Sequence, residues 1–334
     1  MAGAKAGGAE LFFERLAIAQ GQAGEIVLPV IRADAEREQR LREGGLEPRS
    51  FAFGGALDLL TKRRVGKCLR AFAPDITVAW MGRAAQMTPP GDYVLAGRLG
   101  GYYDLARFKD CRYLLANTAG LKKWIIGQGF DAGRVFVVPN FVADHRGAVA
   151  ADLPVPAGCK IVLGLGRLHR NKGFDVLIAA LTRLPESVHA VIAGSGPEGE
   201  DLRTLAARAG LSQRVHFLGW RQDVANLMAA ADVFVCSSRS EVLGNMVLDA
   251  FSAQKPVVAT MADGPMELIE PGKNGVLVPV DSAIALAAGI EGVLDMPVQA
   301  DAMAKAGRAV FEARYSEIAV LAAWRQTLAG LVAA

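Results

Sequence analysis

The sequence predicts an α/β protein made of two doubly wound domains with parallel sheets. Three observations carry that expectation. Short apolar, β-branched runs alternate with helical patterns along the whole chain. A length of 334 residues suits two domains of ordinary size. Periodicity lapses after residue 138, where Pro139, Gly147, Pro154, Pro156 and Gly158 mark a linker over residues 139–158.

In the first half the strand candidates are Ile26–Val30, Ile76–Ala79, Tyr93–Ala96, Tyr113–Ala116 and Val135–Val138. In the second half they are Lys160–Leu165, Ala190–Ala193, Val215–Phe217, Val233–Cys236, Val257–Thr260 and Val276–Val278. A final helix is expected over Ser316 to Leu331. The amino terminus departs from the pattern. Its first ten residues, M-A-G-A-K-A-G-G-A-E, form a Gly-rich turn that leads straight into a helix over Leu11–Ala19. In a doubly wound domain such a turn follows a first strand. Two readings follow: a strand lies upstream of Met1, or the domain lacks its first strand. The first is favoured, because losing a central strand opens a sheet that is buried on both faces.

Hydrophobic residues make up 52% and charged residues 21%, so the chain can bury a sizeable core. Cys68, Cys111, Cys159 and Cys236 are widely spaced and fit reduced thiols rather than a zinc site. The run from Ile318 to Ala334 comes nearest to a membrane span, but Arg325 and Gln326 interrupt it. No secretory leader pattern is visible, and a cytoplasmic protein is expected. Residues 1–150 carry 21 Lys and Arg against 15 Asp and Glu, a net +6; residues 151–334 carry 16 against 19, a net −3. The basic excess gathers at Arg37, Arg40, Arg42 and at Lys62, Arg63, Arg64, Lys67 and Arg70. Such a face suits an anionic membrane surface or a plain solvated helix. Without interleaved aromatics it does not suggest nucleic acid.

Two stretches carry chemistry. Residues Ser240 to Ala250 read S-E-V-L-G-N-M-V-L-D-A after the strand D-V-F-V-C. Glu241 lies in the turn and Asp249 about one turn into the next helix, flanking a helix N-terminus that attracts anions. That suits a ligand with phosphate in the middle and hydroxyl-rich sugars on either side; a helix cap and a surface acid is the plainer reading. Upstream, Gly164 to Gly173 read G-L-G-R-L-H-R-N-K-G between a strand and a helix. There Arg167 supplies a planar fork and Lys172 a point charge, a pair fit for a diphosphate, while Gly166 lets the backbone approach closely. A third stretch, Gly194 to Gly199, matches the dinucleotide-binding pattern G-x-G-x-x-G literally. The next strand, Val215–Phe217, ends in Leu218-Gly219-Trp220 without the carboxylate that pattern requires, which argues against a dehydrogenase.

G-R-L-x-x-x-K-G followed some seventy residues later by E-x-x-G-x-x-x-L-D-A resembles the family 4 (group 1) retaining glycosyltransferases of the GT-B fold. Other pieces match in order: G-G-A-E at Gly7–Glu10, V-V-P-N-F-V at Val137–Val142, I-A-G-S-G-P at Ile192–Pro197, V-H-F-L-G-W at Val215–Trp220 and E-L-I-E-P-G-K-N-G-V-L-V at Glu267–Val278. The resemblance implies two Rossmann-like domains facing a cleft. Residues 1–145 would be the acceptor-binding domain, 146–315 the nucleotide-sugar domain, and 316–334 a helix crossing back to the first. It implies a sugar moved from an NDP-sugar to a glycan or lipid-linked acceptor, with retention and no metal or other cofactor, in lipopolysaccharide or other cell-surface polysaccharide assembly. The place would be the cytoplasm or the inner face of the membrane, in peripheral contact with anionic lipid.

By the same resemblance, Arg167 and Lys172 hold the donor diphosphate and stabilise the leaving charge, with Gly166 and the amides of Gly244, Asn245 and Met246 adding to the anion site. Glu241 faces the transferred sugar and Asp249 the ribose, while Gly219, Trp220 and Arg221 line the base. Gly7 and Gly8 close over the phosphates from the other domain. Two departures stand out. Asp249 replaces the usual Glu and is shorter by one methylene, about 1.5 Å. Many relatives carry a histidine in the amino-terminal half, whereas His145, His169, His189 and His216 all lie in the linker or beyond. The matching stretch, Ala96 to Leu105, offers Arg98 or Tyr102 to the acceptor side, or a packed turn. These departures leave a second reading, an inactive paralogue serving as scaffold or regulator. The intact Arg167, Lys172, Glu241 and Asp249 oppose it.

Overall fold

The computed structural model describes residues 1–4, 7–54 and 58–334. Lys5 and Ala6 of the Gly-rich turn lie outside the described residues. The chain divides into two compact units, Met1–Phe141 with Glu317–Ala334, and Val142–Ser316.

The second unit is one parallel sheet. Its strands are β7 (Lys160–Leu165), β8 (Val188–Ala193), β9 (Val215–Gly219), β10 (Val233–Cys236), β11 (Val257–Thr260) and β12 (Val276–Val278), in the order β12-β11-β10-β7-β8-β9. Because successive side chains point to opposite faces, each strand feeds two cores. Val162, Ile192, Val235 and Val258 pack under Leu177 and Ile290. Leu163, Val191, Phe234 and Val257 pack under Val247 and Phe251. Burial on both faces explains the near-continuous apolar runs by which these strands were legible. From β7 the chain builds outward to β9, then returns to β10 and builds the other way. The switch point therefore lies between β7 and β10, where doubly wound sheets open a crevice at the strand C-termini.

In the first unit the six strands are β1 (Val30–Arg32), β2 (Arg49–Phe51), β3 (Ile76–Trp80), β4 (Val94–Leu99), β5 (Tyr113–Ala116) and β6 (Val135–Val137). All pairings are parallel, yet they make two sheets, β1-β2 and β3-β4-β5-β6. The expected strand Ile26–Val30 begins only at Val30, and Ile26 is 89% exposed. Pro29 has no N–H for a ladder; its carbonyl instead accepts from Arg49 N at 2.8 Å. The strand R-S-F of β2 was not expected, since it shows no apolar alternation and takes its form from pairing with β1.

The C-terminal helix, Glu317–Ala333, belongs to the first unit and buries Val320, Trp324 and Leu331 there. Trp324 stacks on Trp80 with ring centroids 6.1 Å apart. Most of the expected linker belongs to the second unit, where Val142, Leu153 and Val155 join its core. The basic excess is also less free than its sequence implies. Arg37 is buried and pairs with Glu14 at 2.8 Å, and Arg40 reaches the same carboxylate at 2.7 Å. Arg63, Arg64, Lys67 and Arg70 on the helix Leu59–Phe72 do face solvent. Among the described residues, no single helix is long and apolar enough to cross a membrane.

Candidate functional site

The loops leaving β7 and β10 meet at the switch point of the second unit. After β7 the chain turns through Gly166 to a short 3-10 turn, Arg170–Lys172, and enters the helix Phe174–Leu181 at Gly173. Gly173 has φ 62°, and a Cβ there would stand 2.1 Å from the Ser237 carbonyl oxygen, so only glycine fits between the two loops. Ser237 Oγ donates to the Lys172 carbonyl at 2.9 Å. Arg239 N donates to the Asn171 carbonyl at 2.7 Å, and the Arg239 guanidinium donates to the Arg170 carbonyl, to Asp175 and to Asp281. Two loops 60–70 residues apart in sequence are thus locked into one body.

That lock sets Lys172 Nζ in contact with Glu241 Oε2, with both side chains mostly shielded. Burial opposes the ammonium charge, but the charge and hydrogen bond of Glu241 outweigh it and hold Lys172 above its ordinary value. Ser238 Oγ adds a longer bond to the same carboxylate oxygen at 3.4 Å. Burial, with Glu241 nearby, pushes the neighbouring Cys236 thiol upward, so it stays protonated. Arg167 is exposed and makes no hydrogen bond or ion pair to any described residue. One shielded cation and one open cation therefore stand on the same short loop.

The helix Asn245–Ser252 begins beside this pair. Gly244 caps it without a side-chain hydrogen bond, and the amides of Gly244, Asn245 and Met246 have no protein acceptor among the described residues. The buried Asn245 Oδ1 has no partner either. Four residues on, Asp249 is only 6% exposed, and its Oδ1 lies 2.7 Å from His145 Nε2. His145 is held there through its neighbour Asp144, whose carboxylate takes both ends of the Arg308 guanidinium at 2.5 and 2.6 Å. That bond depresses Asp144 to about 2. Asp249 is therefore one end of a fixed pair, with Oδ2 left as its second acceptor.

The glycines of the dinucleotide-like stretch have a packing reason. A Cβ on Gly194 would stand 1.8 Å from the Gly166 carbonyl oxygen, and one on Gly196 would stand 2.2 Å from that of Leu168. Gly194 N donates to the Gly219 carbonyl at 2.7 Å. The loops after β7, β8 and β9 are thereby pressed together, so the pattern serves loop contact. Next to Gly219, Trp220 is 66% exposed, and Arg221 makes a two-point bond to Asp223 at 2.7 and 2.5 Å.

Sequence-selected residues of the first unit behave differently. Gly7 and Gly8 stand at the start of the helix Gly8–Gln22, where the buried Glu10 accepts from Ala4 N at 2.8 Å. Arg98 is 2% exposed, which corrects its reading as a group reaching the acceptor. Its guanidinium donates to the carbonyls of Ala116 and Val138 and to Asn140 Oδ1, and it lies over the Phe12, Trp80 and Trp324 rings. With no carboxylate beside it, burial lowers Arg98 to about 9. Tyr102 is 46% exposed and meets Trp124 edge-on at 5.2 Å.

Sequence reasoning missed His145 and Arg239. A histidine in an aperiodic linker and an arginine one residue before a motif carry no signal of their own. Each partners a residue 64 or more positions away.

The architecture has close counterparts among solved structures. A crystal structure of Anabaena HepE in complex with UDP and glucose matches with a TM-score of 0.83 over 98% of each chain, at 24% identity. This is the GT-B fold of the glycosyltransferases. Residues 148–310 match the model of the glycosyl transferases group 1. LpsE of Rhizobium meliloti (strain 1021), a lipopolysaccharide core biosynthesis glycosyltransferase, is 33% identical over 97% of this chain and 96% of its own. LpsD of the same strain, described in the same words, is 30% identical over 95% and 94%. The chain belongs to the group 1 glycosyltransferases.

Proposed function

We propose that the protein is an active, retaining glycosyltransferase that moves a sugar from an NDP-sugar to a glycan or lipid-linked acceptor in lipopolysaccharide core or related cell-surface polysaccharide assembly. The observation that carries this reading is the grouping of Lys172, Glu241, the unpartnered Arg167 and the free amides of Gly244–Met246 at one switch point. In this reading Arg167 and Lys172 take the diphosphate and stabilise the charge that builds on it as the glycosidic bond breaks. The amides add donors that need no reorganisation. These fixed cations supply what a divalent ion supplies elsewhere, which supports a metal-independent reaction. Glu241, already bonded to Lys172, faces the transferred sugar, and Asp249 offers Oδ2 to the ribose. Gly219–Arg221 line the base.

The names of LpsE and LpsD support the pathway, and UDP in the HepE structure supports a nucleoside diphosphate leaving group. The exposed basic side chains of the helix Leu59–Phe72 support peripheral contact with anionic lipid at the inner face of the membrane. Thermal melting with UDP, GDP and ADP and their sugars tests the reading. One diphosphate should raise the melting temperature in proportion to the logarithm of its concentration, and Arg167→Ala should abolish the shift. No shift with any of them overturns it.

A further inference from the structure

The Asp249 carboxylate is held by a single side chain that lies 104 positions away in sequence. Its Oδ1 accepts from His145 Nε2 at 2.7 Å, and no other described residue bonds to either carboxylate oxygen. An ionised carboxylate accepts only, so the ring hydrogen of this bond sits on Nε2. His145 Nδ1 bonds to no described residue. The His145 side chain is itself only 10% exposed, and both residues belong to the second unit.

The imidazole has little freedom to leave. Three residues before it, Val142 is buried in the same core as Val247 and Phe251. Asp144 is bound at both oxygens by Arg308, and Arg146 reaches Glu312 at 2.9 Å. The buried Arg308 also donates to the Ser252 carbonyl at 2.5 Å. Ser252 ends the helix that carries Asp249, and its Oγ donates to the Asp249 carbonyl at 3.0 Å. One guanidinium therefore ties down both the segment that bears His145 and the helix that bears Asp249. A side-chain pair anchored on both sides in this way holds a ligand-facing group in one orientation.

We propose that His145 is a positioning residue for the donor ribose. By occupying Oδ1 it fixes the plane of the Asp249 carboxylate and presents Oδ2 to the sugar, so that the site tells ribose from its deoxy forms. The inference rests on the reading of Asp249 as the ribose ligand. Without the imidazole, the aspartate turns about its side-chain torsions and takes water in place of the protein donor. His145 touches neither the diphosphate nor the transferred sugar in this role. Its loss therefore weakens donor binding and spares the chemical step.

Calorimetry with UDP, 2′-deoxyUDP and 3′-deoxyUDP tests this, or with the GDP or ADP set where the parent binds that base. The parent should bind at least one deoxy form about tenfold or more weakly than the ribose form. In His145→Phe, which keeps a ring and removes the donor, that ratio should fall below about threefold. The donor KM should rise about tenfold while kcat stays within about threefold of the parent. His145→Gln, which returns an N–H near the same place, should recover the ratio to within about twofold. Asp144→Asn, which keeps the imidazole and loosens its anchor, should lower the ratio about twofold to threefold and serves if His145→Phe does not fold. A ratio taken within one variant does not depend on the fraction folded, so a less stable variant still answers. A parent that does not discriminate, or a parent-like ratio in His145→Phe and Asp144→Asn, overturns the proposal. Asp249→Ala separates it from the reading beneath it. Loss of the ratio there, with a parent-like ratio in His145→Phe, removes the positioning role alone; a parent-like ratio in Asp249→Ala removes the ribose reading as well.

Discussion

The two units use the same doubly wound plan and treat a buried cation in opposite ways. In the second unit Lys172 stands at the switch point of one continuous sheet, its charge balanced by Glu241, with open donors around it. In the first unit Arg98 sits inside the core, with no carboxylate, bonded to two carbonyls and an amide oxygen and covered by aromatic rings. A lysine paired to an acid at a loop junction can exchange part of that pairing for a ligand. A guanidinium bonded to the Ala116 and Val138 carbonyls and to Asn140 Oδ1 cannot let go without loosening β5 and the strand-end segment Val138–Asn140. One cation stands beside open donors at a loop junction, and the other is locked into the core.

Exchanging the roles of the two cations breaks the comparison most directly. Lys172→Ala should reduce turnover by about two to three orders of magnitude, with the melting temperature within about two degrees of the parent. Near-normal transfer in that variant removes the phosphate role. Arg98→Ala should act the other way. It takes their donor from the Val138 carbonyl and Asn140 Oδ1, leaves the Ala116 carbonyl with Val138 N alone and opens a hole among aromatic rings, at a cost of about 3 kcal/mol in urea unfolding. Amides of β4 and β5 should exchange faster while those of β7 and β10 stay as they were. If Arg98→Ala unfolds normally but loses only activity, the division of roles proposed here is wrong.

A third and smaller effect sharpens the contrast within the second unit. His189 and His216 stack at 5.3 Å on β8 and β9, with ring nitrogens 3.0 Å apart. Burial lowers both, with Arg214 adding to the effect on His189 and His189 to that on His216. Groups depressed in the folded state favour folding above their ordinary value of 6.5, and that contribution is lost as pH falls below it. The melting temperature should therefore drop between pH 7 and 5, and His216→Gln should flatten the drop. The Lys172–Glu241 pair has the opposite sign. Lys172 is raised, so its contribution is complete below its ordinary value and fades only in strong alkali.

Much of this molecule could be read before it was seen. In the second unit β7, β10, β11 and β12 fall on the expected residues, because strands buried on both faces must be apolar throughout. Lys172 and Glu241 were legible because each lies in a short loop whose glycines and polar residues had no other local explanation. The first unit was less legible where its sheet is interrupted. β1 is displaced toward Arg32 by Pro29, and β2 has no pattern at all.

The sequence by itself determined the alternation of strands and helices, placed a linker over residues 139–158, and marked the glycine-bearing loops after β7 and β10. Local spacing encodes all of these. Only the tertiary structure decided that Asp249 is paired with His145 and that Arg239 binds one loop to the other. It also turned Arg98 inward and made the glycines after β8 serve loop contact. Those outcomes depend on residues brought together from 18 to 104 positions apart or on close backbone approach. No periodicity in the chain records a contact at that distance; it exists only once the parallel sheets have set their strand order.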